Sequence, residues 1–339
     1  MLQLFEEFVV NADTWALLTV MIISIAVLGV SADILVENAV KISIKTGLPK
    51  VIVGATIVSI GTTFPEAVVS VMAAMGGDPD FALGNAVGSI ICDTGLILGI
   101  ACIMSPLKLD MKLVNQQGWV QFGAATLLVA LCLPYNRLGE LFSQPAFLHQ
   151  WSGFLLVVLL GVYLVWSVRL ARLADPVAED QQGDQGISIW PCLGILAVAC
   201  AFVILSSIGL IESTKVLASR AGVSNAVIAA TVVAFGTSLP ELVTAITAVR
   251  KGHGELAIGN IIGADILNVL FVAGLAAAVT PNGLFADPVF FRLQFPAMLF
   301  ILLCFRIGIK TSTNGFLGRR TGFLLLGTYI IYIAITVAN

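Results

Sequence analysis

GTTFPE at Gly61–Glu66 and GTSLPE at Gly236–Glu241 are one phrase written twice in a chain of 339 residues. A shift of 175 lays Gly61–Gly99 on Gly236–Gly274 without a gap, and 13 of those 39 positions are identical. Among them are Gly61, Thr62, Pro65, Glu66, Gly84, Asn85, Gly88 and Gly99. Glu66 and Glu241 each stand in an otherwise apolar stretch, directly after a Gly-Thr-[Thr/Ser]-x-Pro break. A carboxylate in hydrocarbon is costly, and the neighbouring proline frees backbone groups that need a partner. A duplicated acid beside a broken helix points to an ion site at the membrane midplane, between two structural repeats.

The composition agrees with a membrane setting. The chain is 58% hydrophobic and 11% charged, with mean hydropathy +1.02. A soluble domain carries roughly a quarter charged residues. Basic residues are spread thinly, so nucleic acid is not an expected partner; membrane lipid and metal cations are. Cys92, Cys102, Cys132, Cys192, Cys200 and Cys304 lie in apolar runs and read as small packing groups, with no CxxC or Cys/His cluster. His149 and His253 fall near loop ends and read as solvated. Met1–Trp15 carries Glu6, Glu7 and Asp13 and no Lys or Arg, so the first apolar run does not read as a cleaved signal peptide.

A span needs about 20 apolar residues. Apolar runs give ten expected spans: 15–38, 49–74, 81–104, 119–134, 151–173, 189–212, 223–249, 256–280, 288–308 and 321–338. Trp15, Trp119, Trp151 and Trp190 open four of them, where an interfacial aromatic belt would place them. With both termini outside, the inside loops and span ends hold 13 of the 17 Lys and Arg residues, and Arg137, Lys215, Arg220 and Arg292 fall outside. The polar segment Ala174–Gly186 reads as a cytoplasmic linker, dividing the chain into 1–173, a linker 174–188, and 189–339. Five spans separate each repeat element from its copy. Five is odd, so the repeats run in opposite directions, the inverted topology of alternating-access transporters. The expected fold is thus all-α and polytopic, ten helices in two inverted five-helix repeats. The likeness continues upstream in Gly47/Gly222, Ala55/Ala230, Thr56/Thr231 and Glu37/Glu212. The two glutamates of that last pair sit near the ends of spans one and six and read as solvated or capping.

Each repeated block carries the same parts. Pro65 and Pro240 interrupt helical hydrogen bonding, and Thr62, Thr63, Thr237 and Ser238 add hydroxyl oxygens beside the acids. The partner spans read GNAVGSIICD at Gly84–Asp93 and GNIIGADILN at Gly259–Asn268. Ser89 and Asp93, like Ala264 and Asn268, are four apart and share a helix face. Small residues there allow a close crossing. Asn85 and Asn260 read chiefly as caps and interhelical hydrogen-bonders. Carboxylate, amide, hydroxyl and carbonyl oxygens suit Ca²⁺, Na⁺, Mg²⁺ or Mn²⁺ rather than zinc or copper. The metal-ligating set is Glu66, Glu241, Asp93, Thr62, Thr63, Thr237, Ser238, Asn268 and Ser89. Between ions, a proton on one carboxylate would relieve the like-charge repulsion.

The paired G-T-[ST]-x-P-E and G-N-x-x-G-[SA]-x-I-x-[DN] blocks resemble the two repeats of the cation/calcium antiporter superfamily, and among them the compact prokaryotic sodium/calcium exchanger branch. The resemblance implies a core of spans two, three, seven and eight, with spans one and six as a sliding pair. It implies Glu66 and Glu241 as central calcium ligands, with Thr62, Thr63, Ser89, Thr237 and Ser238 contributing oxygens. It adds backbone carbonyls seven residues before each glutamate, at Ser59 and Ala234. The chain departs from the branch pattern G-S-N-I-F-[ND] at Ile90 and at Ala264-Asp265, and it carries Asp93 and Asn268 where simple relatives often have the acid and amide exchanged. Asp265 either faces the cavity as a fourth acid or caps a neighbouring backbone.

The function this implies is secondary antiport of Ca²⁺ against Na⁺ in the plasma membrane (the inner membrane of a bacterium), with no covalently bound cofactor and no obligate protein partner. The alternative is a proton-coupled or other divalent-cation antiporter on the same scaffold. Its usual G-N-x-x-E first motif is not the one present here. An intramembrane aspartyl protease would need a G-x-G-D signature that the chain lacks. No enzyme activity is expected.

Overall fold

The computed structural model describes residues 11–77, 79–173, 189–221, 236–312 and 315–338. Among them, eight helices are long and apolar enough to cross a membrane. In chain order these are α1 (Thr14–Thr46), α2 (Lys50–Met75), α3 (Phe81–Met104), α5 (Gln150–Arg172), α6 (Ile189–Arg220), α8 (Gly254–Val279), α9 (Phe290–Lys310) and α10 (Arg319–Ala338). Between them lie α4 (Met111–Cys132) and α7 (Leu239–Arg250). Exposed Ile22, Ile23, Val158, Val162, Phe202, Phe323 and Ile331 give these helices an apolar outer surface suited to lipid.

α1 begins on Asp13, whose carboxylate accepts the Ala16 amide at 2.6 Å, and ends on Gly47 at φ 66°, a left-handed stop. It has 33 residues, a length of about 50 Å. The apolar slab is about 30 Å thick, so α1 must tilt or overhang. α6, with 32 residues, packs along it. Arg220 at the end of α6 donates to the Ala12 carbonyl at 2.6 Å, so the two helices run antiparallel.

Two short antiparallel strand pairs sort the remaining helix ends. β1 (Leu107–Lys108) pairs with β4 (Phe316–Leu317), and β2 (Ala146–Leu148) with β3 (Leu284–Ala286). The first pair gathers the end of α3, the starts of α4 and α10 and the end of α9. The second gathers the end of α4, the end of α8 and the starts of α5 and α9. A pocket at the β1–β4 end is lined by Lys50, Val249 and Glu255, so α2 and α8 start there and α7 ends there. α2 and α7 therefore run in opposite directions, as do α3 and α8.

α8 sits at the centre. Every residue from Leu256 to Leu267 is buried, as expected of a helix enclosed on all sides. It meets α2 at very short range: a Cβ on Gly259 would lie 2.1 Å from the Val51 carbonyl oxygen, and one on Gly263 would lie 2.5 Å from Ala55 Cα. Only glycine fits at such a crossing. Gly99 of α3 meets Gly322 of α10, and its counterpart Gly274 of α8 meets Gly153 of α5.

Several expectations change. The fourth span begins at Met111 rather than 119, and its glutamines leave it outside the eight apolar helices. Gln117 and Gln121 are buried, however, against Ser167 and Asp265, so the polarity points inward. Trp119 accordingly lies two turns inside α4 rather than at its opening, with the Arg306 guanidinium 4.5 Å over its ring. α1 and α6 extend well past 15–38 and 189–212. In the seventh span, Thr237 and Ser238 form a turn and helix resumes at Leu239 with Pro240 in its first turn, a position proline tolerates. In α2 the helix instead continues through Pro65, after a π-helical turn at Gly54–Val58. A proline removes one hydrogen bond without ending a packed helix, so the expected break appears here as a wide turn one step upstream. The linker 174–188 lies outside the described residues, as do Glu6 and Glu7 and, upstream of the second block, Gly222, Ala230, Thr231 and Ala234.

One ion cluster ties α1 to the end of α7. Lys251 Nζ lies 2.7 Å from Glu37 and 3.4 Å from Asp33. Both acids are more than half exposed, and exposed pairs contribute little. Lys251→Ala should lower stability by less than about 1 kcal/mol, measured by thermal unfolding in detergent. Glu212, half-buried, pairs with Lys215 at 2.6 Å, so both upstream glutamates are taken up by lysines.

Candidate ion-binding site

The polar residues of α2 fall at Thr56, Ser59, Thr62, Thr63, Glu66 and Ser70, a spacing of three or four that draws one stripe down the helix. All six are buried, and Thr62, Thr63 and Glu66 almost completely. In a bilayer such a stripe turns inward, because lipid cannot pair with it. α7 and the turn that precedes it present Ser238, Glu241 and Thr244 in the same way, and α3 presents Ser89 and Asp93. Asp93 and Asn268 each lie at the start of a π-helical segment, Cys92–Ile97 and Asn268–Ala273. These wide turns occupy matching places in the two copies and recur at functional sites elsewhere.

Hydrogen bonds join the two halves with mirrored partners. Thr62 of α2 donates to Asn260 Oδ1 of α8 at 3.4 Å. Its copy Thr237 donates to Asn85 Oδ1 of α3, also at 3.4 Å. Asn85 in turn donates to Ser70 Oγ at 3.0 Å. The asparagines are interhelical partners of the two threonines, and Thr62 shares its single hydroxyl proton between Asn260 and the Ser59 carbonyl. Thr63 donates to Glu241 Oε1 at 3.3 Å. Because Thr63 lies one turn before Glu66, this bond brings Glu241 to the level of Glu66. The two glutamates repel each other through space, and Asp93 repels both. None of the ion pairs among the described residues involves any of these acids.

The oxygens left without a partner are the informative ones. Glu66 Oε2, Glu241 Oε2, both carboxylate oxygens of Asp93, Ser89 Oγ, Ser238 Oγ and Asn268 Oδ1 are fully buried and make no hydrogen bond among the described residues. Each such atom costs about 1–3 kcal/mol, more when charged. Seven from one predicted set, on α2, α3, α7 and α8, form an oxygen lining suited to hard cations. Among the described residues, no three His, Cys, Asp or Glu side chains converge tightly enough to hold a metal alone. A coordination shell here draws on hydroxyl, amide and carbonyl oxygens as well as carboxylates. Thr237 is only half-buried, at the edge of this lining. Ser59, whose carbonyl was expected to face the ion, accepts from Thr62 Oγ1 at 3.4 Å.

Of the two roles expected for Asp265, the backbone cap is not seen among the described residues, where its partners are side chains. It is buried, and its Oδ2 accepts from Thr94 Oγ1 of α3 and Gln121 Nε2 of α4, each at 2.5 Å. Thr94 and Gln121 were not singled out in the sequence. The available signal was a glutamine within an apolar run, which a spanning helix places against a polar partner.

Comparison with known proteins agrees with this construction. The model of the sodium/calcium exchanger protein family matches residues 16–169 and 192–338, one stretch in each half. The chain is similar to the inner membrane protein YrbG of Escherichia coli, with 32% identity over 93% of this chain and 94% of that one. It is similar also to the sodium/calcium exchanger MaX1 of Methanosarcina acetivorans, with 26% identity over 93% and 97%. The solved structure of the sodium-calcium exchanger NCX_Mj soaked with 10 mM Na⁺ superposes with TM-score 0.80 and 26% identity, covering 95% of this chain and 99% of that one. The family and the fold are those of membrane transporters of cations rather than enzymes. With the oxygen-lined interior, the duplicated acids and a family match over both halves, this chain belongs to the sodium/calcium exchanger family, in its prokaryotic form.

Proposed function

We propose that the protein exchanges Ca²⁺ for Na⁺ by alternating access, with Glu66 and Glu241 as the shared calcium ligands. The supporting observation is the set of buried oxygens, unpartnered among the described residues, around two facing glutamates that no described Lys or Arg pairs with. One Ca²⁺ would satisfy them at one time and a few Na⁺ at another. Asp93, Ser89, Ser238, Asn268, Thr62, Thr63 and Thr237 complete the ion positions in this reading. If about three Na⁺ enter per Ca²⁺, one net charge moves, worth ~2.3 kcal/mol per 100 mV.

The architecture in this reading is ten spans in two inverted repeats, 1–173 and 189–339, joined by 174–188. The opposed directions of α2 and α7 and of α3 and α8 support it, as do the mirrored Thr–Asn bonds. The β1–β4 end, richer in Lys and Arg, is then cytoplasmic and both termini are outside.

Vesicles containing the purified protein, loaded with Na⁺ and diluted into Na⁺-free buffer with labelled calcium, should accumulate the label. Accumulation that ignores sodium and follows an opposing proton gradient would replace this reading with the proton-coupled one. Asp93→Asn should weaken the sodium dependence of uptake roughly tenfold or more, the value of one charge-assisted contact, while leaving the unfolding temperature near that of the parent. An unchanged sodium dependence would remove Asp93 from the ligand set.

A further inference from the structure

Arg306 is a buried cation with neutral partners. It stands on α9 one turn before Lys310, is 9% exposed, and lies over the Trp119 ring of α4. Its Nη1 and Nη2 donate to the carbonyl and the side-chain oxygen of Asn115, at 3.2 and 2.5 Å. A Cβ on Gly118 would lie 2.5 Å from Nη1, so the glycine makes room for the guanidinium. Nε is buried and unpartnered among the described residues. A charge held in this way at the edge of the hydrocarbon is costly and calls for an anion, and none of the described ion pairs supplies one.

The corner around Arg306 collects further cations. Ser312, just past α9, donates to Met111 Sδ at the start of α4 at 3.5 Å, and a Cβ on Gly308 would lie 2.3 Å from Thr321 Cγ2 near the start of α10. These contacts bring Lys112, Lys310, Arg319 and Arg320 to one corner, all four exposed and none in a described ion pair. Asp110, the acid next to them, accepts the Lys112 and Leu113 amides and caps α4. Glu255, at the same end of the bundle, pairs with Lys108. Loop sidedness accounts for the exposed four, but not for a guanidinium set one turn deeper without a counter-charge. Toward the membrane centre, Leu303, Ile307, Trp119 and Phe323 are exposed and apolar. Cations above an apolar wall match a charged headgroup above acyl chains, whereas a soluble anion would use only the upper half. We propose that the corner of α4, α9 and α10 binds one anionic phospholipid, its phosphate seated among the four exposed cations and compensating Arg306 beneath them.

Native mass spectrometry of the purified full chain tests it, with phosphatidylglycerol and phosphatidylcholine of equal acyl chains titrated in neutral detergent. Both lipids carry a phosphate, and only the first has a net charge. The parent should hold one phosphatidylglycerol about tenfold or more tightly than phosphatidylcholine, since each basic residue beside an anionic lipid is worth about fivefold in affinity. Arg306→Gln should lower phosphatidylglycerol affinity about fivefold, and Arg319→Gln combined with Arg320→Gln about thirtyfold, with phosphatidylcholine binding unchanged. Arg250→Gln, at an exposed cation on the α1 side of α7, should bind as the parent does. If Arg306→Gln does not elute as a single species, the double variant decides. Equal affinity of the parent for the two lipids, or parental affinity in Arg306→Gln or in the double variant, overturns the site. A loss of the same size in Arg250→Gln overturns it as well, by showing diffuse attraction to the whole face. Displacement of the lipid by inorganic phosphate overturns it in favour of a soluble anion.

Discussion

Glu66→Gln and Glu241→Gln should each abolish calcium transport while leaving the protein folded. Glutamine keeps the shape and one oxygen ligand, so the substitution tests the charge alone. A unit charge about 4 Å from another at an effective dielectric of ~20 is worth ~4 kcal/mol, and about twice that toward a divalent ion. Half of that larger figure is still roughly a thousandfold in affinity. Stability should move the other way. Without ions, either change removes one member of a repelling buried pair, so the ion-free variants should unfold at or above the parental temperature. Calcium should raise the unfolding temperature of the parent only, since a ligand stabilises by its binding to the native state, about 2.7 kcal/mol at a hundred times its Kd. Thermal melts with and without Ca²⁺, run beside vesicle uptake, check both halves. A variant that unfolds early would mean that the acids hold the fold together, and the ion-site assignment would fall.

Gly263→Val should have the largest effect on assembly. A Cβ at this position would lie 2.5 Å from Ala55 Cα, 2.6 Å from the Ala55 carbonyl oxygen and 2.6 Å from Ser59 Oγ. Two of those atoms belong to backbone and cannot rotate away. Overpacking a core by a methylene or two typically costs 1–3 kcal/mol, and here the helix axes themselves would have to part. Separation of α2 from α8 would also break the Thr62–Asn260 bond and move the Glu66 stripe. We expect a loss of several kcal/mol, read as a fall in unfolding temperature or failure to elute as a single species from detergent. Gly29→Ala on α1, where no atom lies within 4 Å of the added Cβ, is the control and should be nearly silent. Parental stability in Gly263→Val would show that the α2–α8 crossing is looser than these contacts require.

Much of the site is legible without coordinates because its residues lie close in sequence and obey helical spacing. Ser59, Thr62, Thr63 and Glu66 must share one face of α2 whatever surrounds them. The same rule groups Ser89 with Asp93. It does not say which opposing side chain meets each hydroxyl. Thr62 and Thr237 are read from sequence as ion ligands, yet they donate to Asn260 and Asn85, residues nearly two hundred and more than one hundred and fifty positions away. Nor does local spacing fix the start of α4. Its glutamines lower the apolar count, and only their partners Ser167 and Asp265 explain why they are tolerated.

The sequence by itself determined that the chain lives in a membrane, that it is duplicated, and that Glu66 and Glu241 are its unusual acids. Each of these follows from composition or from a repeat, and neither depends on distant contacts. Tertiary structure alone decided that α8 runs enclosed at the centre, that Gly259 and Gly263 let α2 touch it, and that Asp265 is gripped on one edge by α3 and α4. Those outcomes depend on which helix faces meet, and meeting is settled by packing between segments far apart in the chain.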